Sequence, residues 1–114
     1  MTLYEAMESA DLMRPNAVNK TLLAELLIKG LEGDVAEMME VEAPLNQYPS
    51  DMELLMPNPY SNIYAFYLAA QIDLLNEETQ LYENDMAVFN AEWSRAQAWW
   101  RRNNRKRNGN WKVM

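Results

Sequence analysis

Apolar positions recur at helical spacing in four stretches of the chain. In the first, Leu3, Met7 and Ala10 share one face, and Thr2-Leu3-Tyr4-Glu5 has the form of a capping box. The Thr2 hydroxyl can cap the helix while the Glu5 carboxylate reaches back to the cap backbone. Arg14-Pro15-Asn16 stops the run, because a residue before proline is pushed out of the α region, so the pattern predicts a helix over about residues 3–13. A second helix is predicted over about 20–40, where Leu23, Leu27, Leu31, Val35 and Met39 repeat every four residues and Leu22, Leu26 and Met38 widen the stripe. Gly30 and Gly33 lie inside it and cost about 1 kcal/mol each relative to Ala. They point either to close approach of a neighbouring helix or to a local break. Glu25, Glu32, Glu37 and Glu40 are expected to face water.

Residues 41–58 read as a linker carrying Pro44, Pro49 and Pro57. Within it, Met52-Glu53-Leu54-Leu55-Met56 can form one short strand or simply cover the core. A connection of this length is uncommon in a compact domain and often functional, which makes it a candidate contact loop. Asn58-Pro59 reads as a cap followed by proline at the first helical position. It opens a third helix running to about Asn76, with Ile63, Phe66/Tyr67, Ala70 and Leu74 as its buried stripe and Tyr60 and Tyr64 beside it. Asn76-Glu77 is the expected break. In the fourth helix, about 78–104, Tyr82, Met86, Phe89, Trp93, Ala96 and Trp100 alternate spacings of four and three, a heptad-like seam. At 1.5 Å per residue this helix is about 40 Å long, more than the other three need to bury, so its last turns must project or meet a partner. Trp99 and Trp100 are about 100° apart on a helix, and one of them leaves the seam used by the other. The expected fold is all-α, a small bundle of about four helices with a long C-terminal helix and an extended C-terminal tail. The division is a helical domain over 1–102 and a basic extended tail over 103–114.

Composition agrees with a helical core: 49% of residues are apolar, and the 114 residues include only 3 Gly and 5 Pro. Cysteine and histidine are absent. This excludes a disulfide framework and thiolate chemistry, along with the usual proton shuttle and commonest metal ligand. Met1-Thr2-Leu3-Tyr4-Glu5 lacks the basic start and apolar run of a signal peptide. No stretch approaches the roughly 18 consecutive apolar residues of a membrane span, so a soluble protein, cytosolic at birth and without membrane contact, is expected. Asp73 with Glu77, or Glu77 with Glu78, could be drawn as a general acid and base or as a hard-metal site, but carboxylate spacing alone is a weak signal. Asp73 lies between Ile72 and Leu74 near the buried stripe, where an inter-helix or capping hydrogen bond is the better account. No Gly-rich phosphate loop or nucleophile elbow is present. An enzyme is not expected, nor a cofactor or bound metal.

Charge adds an asymmetry that the net −7 conceals. Residues 1–92 carry 17 acids and 3 bases, whereas residues 93–114 carry 7 bases and no acid. The segment Arg101-Arg102-Asn103-Asn104-Arg105-Lys106-Arg107 can complement the negative end of a helix dipole, contact phosphates, or dock on an acidic protein surface. Beyond it, Trp111 and Val113 alternate with polar residues after Gly109. That is the pattern of an extended peptide with an aromatic anchor, able to add to a partner's sheet edge or groove. Docking is the favoured reading, through Trp99, Arg101, Arg102, Arg105, Lys106, Arg107, Trp111, Lys112 and Val113.

Several segments resemble one family. These are Leu12-Met13-Arg14-Pro15-Asn16-Ala17, Glu53-Leu54-Leu55-Met56-Pro57-Asn58-Pro59-Tyr60, Ile63-Tyr64-Ala65-Phe66-Tyr67-Leu68-Ala69-Ala70-Gln71-Ile72-Asp73, and Tyr82-Glu83-Asn84-Asp85-Met86-Ala87-Val88-Phe89-Asn90-Ala91. With Asn76, Glu78, Trp93 and Trp99/Trp100, they are similar to the head–tail connectors, or adaptors, of tailed phages. The likeness spans most of residues 2–102, is specific in the third and fourth helices and is loose over 41–52. It implies a helical virion subunit that assembles as a dodecameric ring beneath the portal protein. Such a subunit bridges to the next neck or tail-completion protein and reaches onto the portal with its C-terminal segment, while DNA passes through the lumen without specific binding. It also implies residence in the virion neck after assembly in the host cytoplasm. The break after the third helix is often Asn-Gly-Glu in the family, whereas here it is Asn76-Glu77-Glu78, and residues 103–114 match no family motif. An acidic body suits such a lumen, because negative walls do not hold phosphates. Two other classes stand beside this one: a nucleic-acid-binding regulator using the basic segment, and a generic helical adaptor or inhibitor that forms no ring.

Overall fold

Thr2 caps the first helix as its sequence dictates. In the computed structural model, which describes residues 1–42 and 49–109 with 105–109 as helical backbone, Thr2 Oγ1 accepts from the Glu5 amide at 3.1 Å and the Thr2 amide donates to Glu5 Oε1 at 2.8 Å. Helix α1 (Leu3–Met13) turns Leu3, Ala6, Met7 and Ala10 inward. Arg14 closes it, its amide reaching the Ala10 carbonyl at 2.8 Å. Asn16 then shapes the turn: its Oδ1 accepts from the Val18 amide and its Nδ2 donates to Asp11 and to the Arg14 carbonyl. Asn19 caps the next helix through the amides of Thr21 and Leu22.

The second apolar run folds as one helical path in three pieces: α2 (Lys20–Leu26), a π-helical segment (Leu27–Glu32) and α3 (Gly33–Met39). The two explanations offered for its glycines both hold at Gly30. It lies inside the π segment, and a Cβ there would collide with the Tyr67 hydroxyl and sit 3.2 Å from Tyr67 Cζ, so glycine admits the ring of the neighbouring helix. Apolar residues spaced strictly by four drift around an α-helix of 3.6 residues per turn. The i→i+5 bonds of the π segment put more residues in each turn and keep Leu23, Leu27, Leu31 and Val35 on one buried line. The expectation for the acids is corrected at Glu32, which is fully buried; Glu37 and Glu40 are exposed and Glu25 partly so.

Of the 41–58 linker, residues 43–48, Pro44 among them, lie outside the described residues. The rest both pairs and covers. Thr2 and Glu53 form an antiparallel bridge, flanked by the Leu3 amide on the Met52 carbonyl and the Leu54 amide on the Met1 carbonyl, each at 2.9 Å. Leu54 and Met56 are buried over the core. Helix α4 (Asn62–Leu75) starts later than Asn58-Pro59 implied. The Asn58–Pro59 peptide is cis, and Asn58 Oδ1 accepts from the Ser61 hydroxyl instead of a helical amide. The expected α4 stripe is also corrected: Leu74 is exposed, while Ala65, Leu68, Ala69, Ile72 and Asp73 join Ile63, Tyr64 and Ala70 in the interior. A helix apolar on most faces is a central one, and α4 packs against α1, α2, the π segment and the last helix.

That last helix, α5 (Thr79–Gly109), is antiparallel to α4 and buries Phe89 and Ala96, with Met86, Trp93 and Trp99 packed on the core. The seam therefore ends on Trp99 and not Trp100. Between α4 and α5 the chain reverses at a Schellman turn: the Glu78 amide donates to the Asp73 carbonyl at 2.9 Å and the Glu77 amide to the Leu74 carbonyl at 3.1 Å. Glu77 occupies the left-handed position with φ 57, where a Cβ costs about 1–2 kcal/mol. Glu77→Gly should therefore stabilise the fold by about 0.5–1 kcal/mol, net of the greater backbone freedom glycine has when unfolded. A thermal melt reads this as a rise of a few degrees; an unchanged or lower midpoint contradicts it.

Candidate functional site

The end of the α4–α5 pairing is marked by an aromatic clasp. Tyr60, in the turn before α4, stacks on Trp99 with ring centroids 5.0 Å apart, and the Arg95 guanidinium, one helical turn earlier on α5, lies 5.0 Å over the same ring. Aromatic pairs of this kind contribute about 0.5–1.5 kcal/mol beyond area burial. Trp99, expected among the docking residues, thus has its partner inside the molecule. Trp100 meets Trp99 edge-on at 6.0 Å. Past this clasp α5 continues through residues 101–109, about 14 Å of helix.

Arg101 and Arg102 are exposed there, and neither pairs with a carboxylate among the described residues. Asn103 and Asn104 bond back to the carbonyls of Trp99 and Trp100. Arg105, Lys106 and Arg107 stand on helical backbone, so the basic run is helical where an extended tail was expected from 103. Their side chains, and Trp111, Lys112 and Val113, lie outside the described residues. By contrast, the bases of the body are each engaged: Arg14 with Asp73 and Asp85, Lys20 with Asp11, and Lys29 with Glu25.

The carboxylates weighed in the sequence as an acid–base pair sit in different surroundings. Glu77 and Glu78 are exposed, whereas Asp73 is buried to 2% exposure. Asp73 faces Asp85 instead, with Arg14 between the three elements: Arg14 Nε donates to Asp73 Oδ1 at 3.0 Å and a terminal nitrogen donates to Asp85 Oδ1 at 3.1 Å. Burial, with Asp85 adding to it, pushes the Asp73 carboxyl up to about 6 against the opposing pull of Arg14.

A second buried acid escaped the sequence reading. Glu32 Oε1 accepts from the Tyr64 hydroxyl at 2.6 Å and Oε2 from the Leu55 amide at 2.8 Å, while Tyr64 Oη accepts from the Met56 amide at 2.8 Å. Burial raises the Glu32 carboxyl above its usual range, opposed by these donors. The signal was available: Ala24, Ile28 and Ala36 flank Glu32 at spacings of four and are all buried.

Among the described residues no group of three or more acidic side chains converges as metal ligands, and no helix is long and apolar enough to cross a membrane. Comparison with protein-family models, with characterised proteins and with solved structures finds no match to this chain.

Proposed function

We propose that this chain is a head–tail connector subunit of a tailed phage, one copy of a ring beneath the portal that links it to the next neck protein around a DNA-carrying lumen. The observation that carries this reading is the overhang of α5. Beyond the Tyr60–Trp99 clasp the helix goes on with no α4 beside it, and it presents Arg101 and Arg102 exposed and without carboxylate partners among the described residues. Arginines beside an indole are the composition of an interface core, and the bundle is complete without them. The family likeness supports the same reading in a physical way. Its segments around Arg14, Asp73 and Asp85 meet at one cluster, and its Tyr60 is the ring clasped at the base of the overhang. The acidic body fits a lumen wall.

The test is co-assembly with the portal protein of the same phage, read by native mass measurement and pull-down. The full chain should join a portal-bound ring. Deleting 103–114 should remove only the last turns of α5, leave the rest of the bundle folded with an unchanged thermal midpoint, and abolish capture of the portal, and R101E/R102E should weaken capture at least tenfold. Undiminished capture by the truncated chain, or a chain that stays monomeric with the portal present, overturns the proposal.

A further inference from the structure

The Arg14 cluster has one cation for two carboxylates. Arg14 reaches from the end of α1 to Asp73 on α4 and Asp85 on α5, and its other terminal nitrogen returns to the Met13 carbonyl at 2.8 Å. Its donors thus supply Oδ1 of each acid. Asp73 Oδ2 and Asp85 Oδ2 are both buried and accept no hydrogen bond, although Asp85 Oδ2 lies 3.0 Å from an Arg14 nitrogen. Side-chain exposures of 2% for Asp73 and 14% for Asp85 leave little room for solvent. Buried carboxylate oxygens that accept no hydrogen bond are unfavourable, and Asp73 Oδ2 lacks even the ion-pair contact that Asp85 Oδ2 keeps. The charged groups facing Asp73 from the elements packed on it are Arg14 and Asp85 alone among the described residues, so no second base can supply the missing donor.

We propose that one proton is held between Asp73 and Asp85, so that the two carboxyls carry a single negative charge neutralised by Arg14 and each Oδ2 gains a hydrogen-bond partner. In this form the cluster is an electroneutral three-way latch joining α1 to the α4–α5 hairpin. Losing the proton to solvent leaves one uncompensated buried negative charge and reopens both oxygen vacancies. The latch is closed in mildly acidic solution and loosens as pH rises through the neutral range. Burial and the facing Asp85 carboxylate push the Asp73 carboxyl upward, in the same direction.

Carbon-detected NMR of the aspartate side-chain carboxyls in the full chain, titrated from pH 3 to 8, tests this. One carboxyl signal with a midpoint at about 6 is expected. Asp85→Asn should lower that midpoint by about one pH unit or more, because the amide donates to the ionised Asp73 and removes the facing charge. Amide hydrogen exchange in wild-type protein gives a measurement that needs no variant. Protection at the end of α1 should fall several-fold between pH 5 and 8, after correction for intrinsic exchange. No aspartate titrating above pH 4.5, a midpoint unmoved by Asp85→Asn, or protection independent of pH would each overturn the proposal.

Discussion

Tyr64→Phe should destabilise the protein by about 2–4 kcal/mol, the largest effect expected from the loss of a single oxygen. That oxygen makes two bonds in the interior, donating to Glu32 Oε1 at 2.6 Å and accepting from the Met56 amide at 2.8 Å. Phenylalanine keeps the ring packing and removes both. The Met56 amide is then left without its acceptor, and the buried Glu32 retains only the Leu55 amide. Each unsatisfied buried group costs about 1–3 kcal/mol, and more when it is charged. The deficit also has a pH sign. Glu32 already has a raised folded-state carboxyl because burial disfavours its anion, and the variant removes a donor that opposes that rise. A group whose folded value exceeds its unfolded one loses stability as pH rises through the folded value. Urea denaturation should therefore show a larger Tyr64→Phe deficit at pH 8 than at pH 5, and Glu32→Gln in the same background should flatten the difference. A deficit below about 1 kcal/mol at both pH values contradicts the assignment.

The same three residues show where sequence reasoning stops. Helix α1 was legible to its ends because every signal is local: the Thr2–Glu5 box, the apolar spacing and the Pro15 stop act within a turn or two. The four-residue period of 23–35 was equally legible, but over so short a window an α-helix tolerates the drift, so the period alone does not announce the π segment. Only Gly30, which makes room for Tyr67, betrays the difference. Glu32 was assigned to solvent by residue type, although the Ala24-Ile28-Ala36 face it belongs to is buried. Its partners come from Tyr64, 32 residues away, and Leu55, 23 residues away, and no local pattern announces them. Asn58-Pro59 read as a helix start because cap and proline chemistry permit one, yet the Asn58 oxygen is occupied by Ser61.

The candidate interaction surface was legible in composition and only partly in position. The charge split and the over-long helix both pointed to the end of α5, and the overhang there follows from unequal helix lengths, 14 residues in α4 against 31 in α5. The role of Trp99 was not readable, since its partner Tyr60 comes from a turn 39 positions earlier whose geometry the sequence mis-assigned. Trp99 is thus held from within by Tyr60, and Arg101 and Arg102 stand exposed beyond the clasp.

Arg14→Met should cost about 3–5 kcal/mol at pH 8, because removing one partner of a buried ionic cluster strands the charges it compensated. Methionine keeps much of the aliphatic packing volume of the partly buried side chain, so the measured loss reports mainly on Asp73 and Asp85. Asp73 is 2% exposed and already titrates at about 6 with Arg14 in place. Arg14 is the influence that holds it down, so without the guanidinium the carboxyl rises further. Protons bound by the folded chain and not by the unfolded one make stability fall as pH increases. The variant should therefore be nearest to wild type at about pH 4, where Asp73 is protonated in the fold, and furthest from it at pH 8. The lost hydrogen bonds and packing, about 1–2 kcal/mol, and the single negative charge left on the carboxyl pair without its cation persist at the acid end. Asp73→Asn added to Arg14→Met removes the stranded charge and leaves an amide able to donate to Asp85, so the double variant should recover part of the loss at pH 8 and little at pH 4. A deficit independent of pH, or a double variant no better than Arg14→Met at pH 8, would mean that packing and not charge fastens α1 to the α4–α5 hairpin.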